Sequence, residues 1–234
     1  MSLPPPGDPS SRAFTLAQPP SGRLTSSFER PVFRVALMGV LLLILVWLAR
    51  AAWSRPPSSL DTGPLLWLHA HATPFLNGVM LTLTTLSDPP EMAALLAVAL
   101  LTLAWKRLFR QAAALFLLAG GAEALDLLLK EVFHRSRPAL WTTLIPETDY
   151  SFPSGHALFT AVLLGAALVW CWNTRWRTMV LVIGGLFTVL VGFSRVYIGV
   201  HFPSDILAAW CVAALWILLL SPLVGRWFQP RLQP

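Results

Sequence analysis

The sequence predicts an all-α protein, a six-span transmembrane helical bundle with interfacial helices between the first and second spans. Hydrophobic residues make up 56% of the 234 residues and charged residues only 12%, whereas a soluble domain usually carries about 25% charged residues. Six segments approach the roughly 20 apolar residues that a membrane-crossing helix needs. Most basic residues fall in the short segments between these runs, where membrane topology places them. The bilayer is therefore the predicted solvent of this chain.

The six predicted spans occupy the membrane domain, which covers residues 31–222. They run over Pro31–Trp53, Pro90–Trp105, Phe109–Leu129, Gly155–Trp172, Trp176–Phe193 and Pro203–Leu220. Residues 1–30 are rich in Pro, Ser and Gly, and this composition predicts a disordered cytoplasmic tail. Residues 223–234 are predicted to form a short cytoplasmic tail. A cleaved signal peptide is a poor interpretation of the first span, because the polar segment ahead of it is too long.

The segment Leu65–Leu86 is apolar but interrupted, so it predicts no simple span. His69, His71, Pro74 and Asn77 break the apolar run, and each half is too short to cross a bilayer. We interpret the segment as two helices that lie at the interface or dip into it, and that form a lid or an entrance for lipid. The alternative is a seventh full span, which would invalidate the topology that follows.

The distribution of basic residues predicts which side of the membrane each loop faces. One side receives the larger share of the Lys and Arg residues, and the positive-inside rule makes it cytoplasmic. These residues are Arg12, Arg23, Arg30, Arg34, Lys106, Arg107, Arg110, Arg175, Arg177, Arg226 and Arg231. The other side receives Arg50, Arg55, Lys130, Arg135, Arg137 and Arg195. Topology accounts for the net charge of +6, and no nucleic-acid partner is expected, because the charges form no basic stripe on a soluble fold.

Three clusters of polar residues fall on the predicted outer side. The first is KEVFHRSRP at Lys130–Pro138, after the third span. The second is PSGH at Pro153–His156, before the fourth span, and the third is SRVYIGVHFPSD at Ser194–Asp205, between the fifth and sixth spans. The clusters are far apart in sequence, but they converge if the three helical hairpins pack side by side. We therefore expect one composite site at the outer face.

Part of this constellation is suited to binding a phosphate group. Lys130, Arg137 and Arg195 are three cations, and the planar fork of Arg matches phosphate oxygens. Ser154 and Gly155 stand at the start of a predicted helix, where free N–H groups and the helix dipole favour an anion. Phosphoryl transfer spreads negative charge over three oxygens, so positioned cations and donors supply most of its catalysis. These cations supply the charge that a metal ion would give, so neither metal nor cofactor is expected.

The remaining residues of the clusters are suited to nucleophilic and acid–base chemistry. A neutral imidazole of His201 can attack phosphorus and form a phosphohistidine. Asp205 lies four residues later, within reach on a helix, and we expect it to hold the other ring nitrogen protonated. His156 is expected to protonate the leaving oxygen and then to deprotonate the hydrolytic water. The predicted catalytic residues are therefore His201, His156 and Asp205.

The three clusters together resemble the signature of the type-2 phosphatidic acid phosphatase superfamily. That signature is K-x6-RP, then PSGH, then SR-x5-H-x3-D, and this sequence matches it at every spaced position. The resemblance covers residues 60 to 220 in layout and implies a membrane phosphatase for lipid phosphates or diphosphates, with a phosphohistidine intermediate and no metal. It implies His201 as nucleophile, His156 as general acid and Asp205 as its partner, with phosphate bound by Lys130, Arg137, Ser154, Gly155 and Arg195.

Several other readings of these residues stay open at this point. Arg135 and His134 are interpreted as residues that flank the site, and Asp126 is expected to pair with Lys130 one turn later. The alternative function is a catalytically silent phospholipid-binding or transport protein on the same scaffold. The preferred substrate is undecaprenyl diphosphate or a phosphatidic acid or phosphatidylglycerophosphate type of lipid. The predicted location is a bacterial inner membrane, with the site facing outside.

Overall fold

The computed structural model describes residues 31–53 and 57–228, and this part of the chain folds into helices without β-strands. The helices are α1 (Pro31–Trp53), α2 (Ser59–Ala70), α3 (Pro74–Thr85), α4 (Pro89–Trp105), α5 (Phe109–Phe133), α6 (Gly155–Cys171), α7 (Arg177–Ile198) and α8 (Pro203–Phe228). A π-helical turn at Val180–Gly184 interrupts α7. The all-α prediction is confirmed for these residues. The predicted tail at residues 1–30 lies outside them.

Four helices are long and apolar enough to cross a membrane, namely α1, α5, α7 and α8. Helices α3 and α4 pass the same test only as a pair, with a bend of 44° at the break between them. Helix α6 is apolar but has 17 residues, short of the roughly 20 that span a bilayer. The chain is therefore an integral membrane protein with four to five candidate spans. Six spans, and an interfacial position for α2 and α3, stay predictions.

Helix α8 is the centre of the bundle, where it packs against α1, α5 and α6. Small residues let the helices approach closely, as is usual inside membranes. A Cβ atom at Gly165 in α6 would lie 2.6 Å from Ile217 in α8, and one at Gly192 in α7 would lie 2.7 Å from Ile206. The core between these helices therefore depends on glycines that stand opposite large apolar side chains.

Helix α1 shows the opposite pattern, because it is apolar around its whole circumference. Val35 is 68% exposed and Leu43 is 72% exposed, while Leu48 and Ala52 are buried against the bundle. A helix that carries large apolar side chains on its outer faces is typical of a lipid-facing span. This composition supports the assignment of α1 as a span at the edge of the bundle.

Several helices extend further than the sequence indicates. Helix α5 continues to Phe133 and α7 continues to Ile198, so Lys130 and Arg195 lie in final helical turns rather than in loops. Each helix ends where the next residue adopts a left-handed conformation, at His134 with φ 43° and at Gly199 with φ 84°. Helix α8 continues past residue 222 to Phe228, so the predicted domain end falls inside a helix. The cytoplasmic side of the C-terminal tail stays a prediction.

The ambiguous segment at residues 65–86 is divided into α2 and α3. Residues 71–73 separate the two helices, and Oγ1 of Thr73, the N-cap of α3, accepts a hydrogen bond from Leu76 N at 3.2 Å. A hydroxyl at the N-cap and proline at the first helical position are typical start signals for a helix. Both helices pack against α7, so this segment is part of the folded bundle.

Candidate active site

The three sequence clusters meet at one end of the bundle. Arg137, in the loop after α5, donates a hydrogen bond from Nη1 to Nε2 of His201 at 2.9 Å and another to the Val200 carbonyl at 3.0 Å. The backbone N–H of Ser154, at the start of α6, donates to the carbonyl of Asp205 at 3.3 Å. Arg137 of the first cluster therefore contacts the third cluster directly, and Ser154 of the second cluster contacts the third through Asp205.

A cavity of about 630 Å³ opens beside these contacts. Five of the eight predicted site residues line it: Lys130, Arg137, Gly155, His156 and His201. The other three, Ser154, Arg195 and Asp205, are fully buried next to these residues. Both histidines therefore face one cavity, as a shared phosphate requires.

His201 is held in a defined tautomer. Its ring is 1% exposed, and Nδ1 lies 2.9 Å from the carbonyl oxygen of Ser151. A carbonyl oxygen only accepts hydrogen bonds, so Nδ1 carries the proton and Nε2 carries the lone pair. Burial, followed by the nearby charges of Arg137 and Arg195, lowers the pKa of His201 well below its usual range. This shift favours the neutral ring, whose unprotonated Nε2 accepts the hydrogen bond from Arg137.

Asp205 does not hold His201 in the way that we expected from the sequence. Its Oδ2 lies 3.5 Å from Nδ1 of His201, which is longer than a hydrogen bond. The same oxygen accepts from the backbone N–H of Phe202 at 2.9 Å, and Oδ1 pairs with Arg135. The carbonyl of Ser151 takes the hydrogen bond instead, because the backbone N–H of Phe202, just before α8, and a buried guanidinium already engage the carboxylate.

His156 occupies the second position of α6, on the cavity wall. Its Nε2 lies 2.8 Å from Oδ1 of Asp88, and its side chain is 10% exposed. The start of α6 lies close to α5, since a Cβ atom at Gly155 would lie 3.0 Å from Oδ2 of Asp126. Glycine therefore lets the N-terminus of α6 approach the carboxylate that pairs with Lys130.

Lys130 lies between two carboxylates. Its Nζ is 2.8 Å from Asp126, as we expected from their spacing, and 2.6 Å from Asp149 in the following loop. Asp149 also pairs with Arg137. Burial alone would raise the pKa of Asp149, but hydrogen bonds from Lys130 and Arg137 and their charges outweigh burial and lower this pKa to about 2. This loop carboxylate and the two cations form one cluster at the mouth of the cavity.

Arg195 is buried with part of its hydrogen-bonding capacity unused. Its Nη2 pairs with Glu147, but Nε and Nη1 have no hydrogen-bond partner, and neither has the buried Oγ of Ser154. A buried polar group without a partner costs about 1–3 kcal/mol, and more when it is charged. A catalytic role and a bound ion are among the usual reasons for such unpaired groups in a folded protein. The unpaired donors of Arg195 and Ser154 match the oxygens of a phosphate group.

A second charged cluster was not anticipated from the sequence. Arg135 is 5% exposed, and its Nη2 lies 2.7 Å from Asp61 in α2, while its Nη1 contacts Asp205 and, at 2.7 Å, Ser204. The expectation that Arg135 merely flanks the site does not match this burial. The left-handed residue His134 reverses the chain after α5 and aims Arg135 inward. Asp61, a lone carboxylate ahead of an apolar run, is the sequence feature that could have indicated a buried partner.

Comparison with known proteins identifies the family. Residues 111–229 match the PAP2 superfamily. Phosphatidylglycerophosphatase B of Bacillus subtilis (strain 168) is 31% identical over 153 residues, which cover 63% of this chain and 75% of that protein. An undecaprenyl-diphosphatase of Sulfolobus acidocaldarius is 43% identical over 74 residues, which cover 32% of this chain and 33% of that protein.

Solved structures give the same result. The crystal structure of a transmembrane PAP2 type phosphatidylglycerolphosphate phosphatase from Bacillus subtilis superposes with a TM-score of 0.73 and 28% identity, over 84% of this chain and 98% of that chain. LpxE of Aquifex aeolicus shares the fold, with a TM-score of 0.57 and 22% identity over 70% of this chain and 96% of that chain. The motifs, the fold and these relatives agree, and the chain is an integral membrane phosphatase of the PAP2 superfamily.

Proposed function

We propose that the chain hydrolyses a lipid phosphate or diphosphate without a metal ion, through a phosphohistidine on His201. The observation that carries this proposal is the set of unpaired buried donors on Arg195 and Ser154, in the site where Arg137 donates a hydrogen bond to the unprotonated nitrogen of His201. Lys130, Arg137 and Arg195 supply positive charge where phosphoryl transfer develops negative charge. We assign these three residues, with Ser154 and Gly155, to phosphate binding.

The proposed reaction has two steps. In the first, Nε2 of His201 attacks phosphorus, the bond to the leaving oxygen breaks, and His156 gives that oxygen a proton. The phosphohistidine then carries positive charge, which faces Asp205 at 3.5 Å. In the second step His156 takes a proton from water, the resulting hydroxide attacks phosphorus, and the bond from Nε2 to phosphorus breaks. Inorganic phosphate leaves, and both histidines return to their starting states.

The lining of the cavity supports a lipid substrate. Besides its charged residues, the cavity is lined by apolar side chains that include Met92, Leu96, Leu127 and Phe159, from helices α4, α5 and α6. A lipid can place its phosphate at the cations and its hydrocarbon chain along this wall. Undecaprenyl diphosphate and a phosphatidylglycerophosphate or phosphatidic acid type of lipid are the proposed substrates, in line with the names of the relatives. A site that faces outward from a bacterial inner membrane fits this role.

The test is release of inorganic phosphate by detergent-solubilised protein from these lipids, compared side by side. Replacing His201→Ala is expected to lower the rate by at least about 10⁴-fold, the order seen when a catalytic nucleophile is removed. His71→Ala, at an exposed histidine that does not line the cavity, is the matched control and should keep the wild-type rate. Phosphate release that survived in His201→Ala would contradict the mechanism, and no release from any of the lipids by wild-type protein would favour the silent binding protein.

A further inference from the structure

We propose that Asp88 is a positioning residue for His156, and that the break between α3 and α4 serves to present it. This inference rests on the proposed function, because it concerns the acid–base role of His156. Oδ1 of Asp88 lies 2.8 Å from Nε2 of His156, and both residues line the cavity. Asp88 lies outside the three sequence clusters, in a turn to which the sequence assigned no chemistry.

The local structure shows that Asp88 is not used as a helix cap. It occupies the N-cap position of α4, where aspartate normally accepts a hydrogen bond from the first turn. Its side chain makes no such bond. Pro89 and Pro90 follow it, and proline has no N–H to donate. The carboxylate that usually caps its own helix is therefore turned to His156.

The position of Asp88 is fixed by contacts between α3 and α7. Near the end of α3, Oγ1 of the buried Thr84 lies 2.9 Å from Oγ of Ser194, the residue before Arg195. Earlier in α3, Asn77 accepts a hydrogen bond from the Tyr197 hydroxyl at 2.8 Å. The end of α3 is thus tied to the helix that carries a phosphate-binding cation. The 44° bend that follows directs the start of α4 to the cavity.

The chemical consequence concerns the two nitrogens of His156. A carboxylate only accepts, so Asp88 holds the proton on Nε2 and leaves Nδ1 to exchange protons with the leaving oxygen and with water. Asp88 also stabilises the positive charge that His156 carries when it holds both protons. The other charged groups that act on His156 are Arg195 from α7 and Glu147 from the loop before α6. Asp88 is the residue among them that makes a hydrogen bond to the ring.

A comparison of leaving groups separates this role from a structural one. The alkoxide that leaves phosphatidic acid needs a proton from His156, whereas the nitrophenolate of p-nitrophenyl phosphate leaves without one. We expect Asp88→Ala to lower kcat/KM for phosphatidic acid by about 10²-fold, the lower end of the range for acid–base catalysis. For p-nitrophenyl phosphate the same variant should lose no more than roughly threefold, because acid catalysis contributes little to that leaving group.

Two further variants keep the result interpretable. Asp88→Asn keeps the size of the side chain and an acceptor oxygen but removes the charge, so its loss should fall between wild type and Asp88→Ala. If Asp88→Ala does not fold, the same comparison of the two substrates is made with Asp88→Asn. Glu91→Gln, an exposed carboxylate in the first turn of α4, should keep wild-type values. Equal losses on both substrates would overturn the role of Asp88, whereas no phosphate release by wild type would instead overturn the proposed function.

Discussion

Arg135 and Arg137 stand two residues apart in one loop and have opposite environments. Arg135 is buried and forms ion pairs with Asp61 and Asp205, whose side chains are 4% and 0% exposed. Arg137 faces the cavity, where it contacts His201 and pairs with Asp149, a residue whose side chain is 47% exposed. The first arginine joins α2 to α8, and the second lies where a substrate can reach it.

The difference shows that the burial of its ion-pair partners separates a cation that supports the fold from one that an incoming substrate can reach. A guanidinium fork matches a carboxylate and a phosphate equally well, so the residue type does not distinguish the two roles. The partners of Arg135 cannot leave without exposing buried charge, which is costly. The ion-pair partners of Arg137, Asp149 and Glu147, lie on a partly exposed loop, where an incoming phosphate can replace them. The predictions below test this distinction, beginning with the largest expected change in free energy.

Removing Arg135 should affect stability most. Arg135→Ala leaves the carboxylates of Asp61 and Asp205 buried without their cation, and losses of about 3–5 kcal/mol are typical when one partner of a buried pair is removed. The free energy of unfolding in detergent measures this change. The exposed Arg110→Ala is the control and should stay near wild type. A loss for Arg135→Ala no larger than that of the control would refute the supporting role.

Removing Arg137 should affect catalysis and leave the fold intact. Arg137→Ala is expected to lower kcat by about 10²–10³-fold, the usual result of removing one donor to a developing negative charge. Its unfolding free energy should change by no more than about 1 kcal/mol, because its ion pair with Asp149 is partly exposed. Kinetics of lipid phosphate hydrolysis and unfolding of the same preparation give both values. A large loss of stability with little loss of kcat would reverse the assignments of the two arginines.

Neutralising Asp149 should have the smallest effect. Asp149→Asn removes a competitor for Lys130 and Arg137, so KM for the lipid phosphate should fall roughly two- to fivefold, which corresponds to one exposed ion pair. The pKa of Asp149 is lowered to about 2 from 3.8. Its pairing therefore stabilises the fold above about pH 3.8, and this contribution is lost as pH falls toward 2.

The melting temperature of wild type should consequently fall more steeply between these pH values than that of Asp149→Asn. The exposed Glu131→Gln is the matched control, since Glu131 contacts only His134 among the ion pairs of the described residues and should leave KM unchanged. A raised KM in Asp149→Asn would mean that the carboxylate helps to hold the substrate.

The sequence predicted those features that leave a regular pattern in it, namely the helices and the residues of motifs with fixed spacing. Apolar runs predicted the helices, because a chain in lipid must satisfy its backbone groups within helices. The motif spacing identified Lys130, Arg137, His156 and His201 as residues of one site before any contact was known. It did not identify Asp88 or the carbonyl of Ser151, since a capping-type aspartate and a backbone oxygen carry no sequence signal for a distant histidine.

The sequence by itself determined the membrane setting, the helical class and the set of cations and histidines that meet at one cavity, since composition and motif spacing are properties of the chain alone. Only the tertiary structure decided which carboxylate pairs with which cation or imidazole ring. Asp205 pairs with Arg135 rather than with His201, and His156 is hydrogen-bonded to Asp88 rather than to a residue of the motifs. The physical reason is that these pairings depend on burial and on where left-handed residues and helix breaks turn the backbone, and both are set when the helices pack.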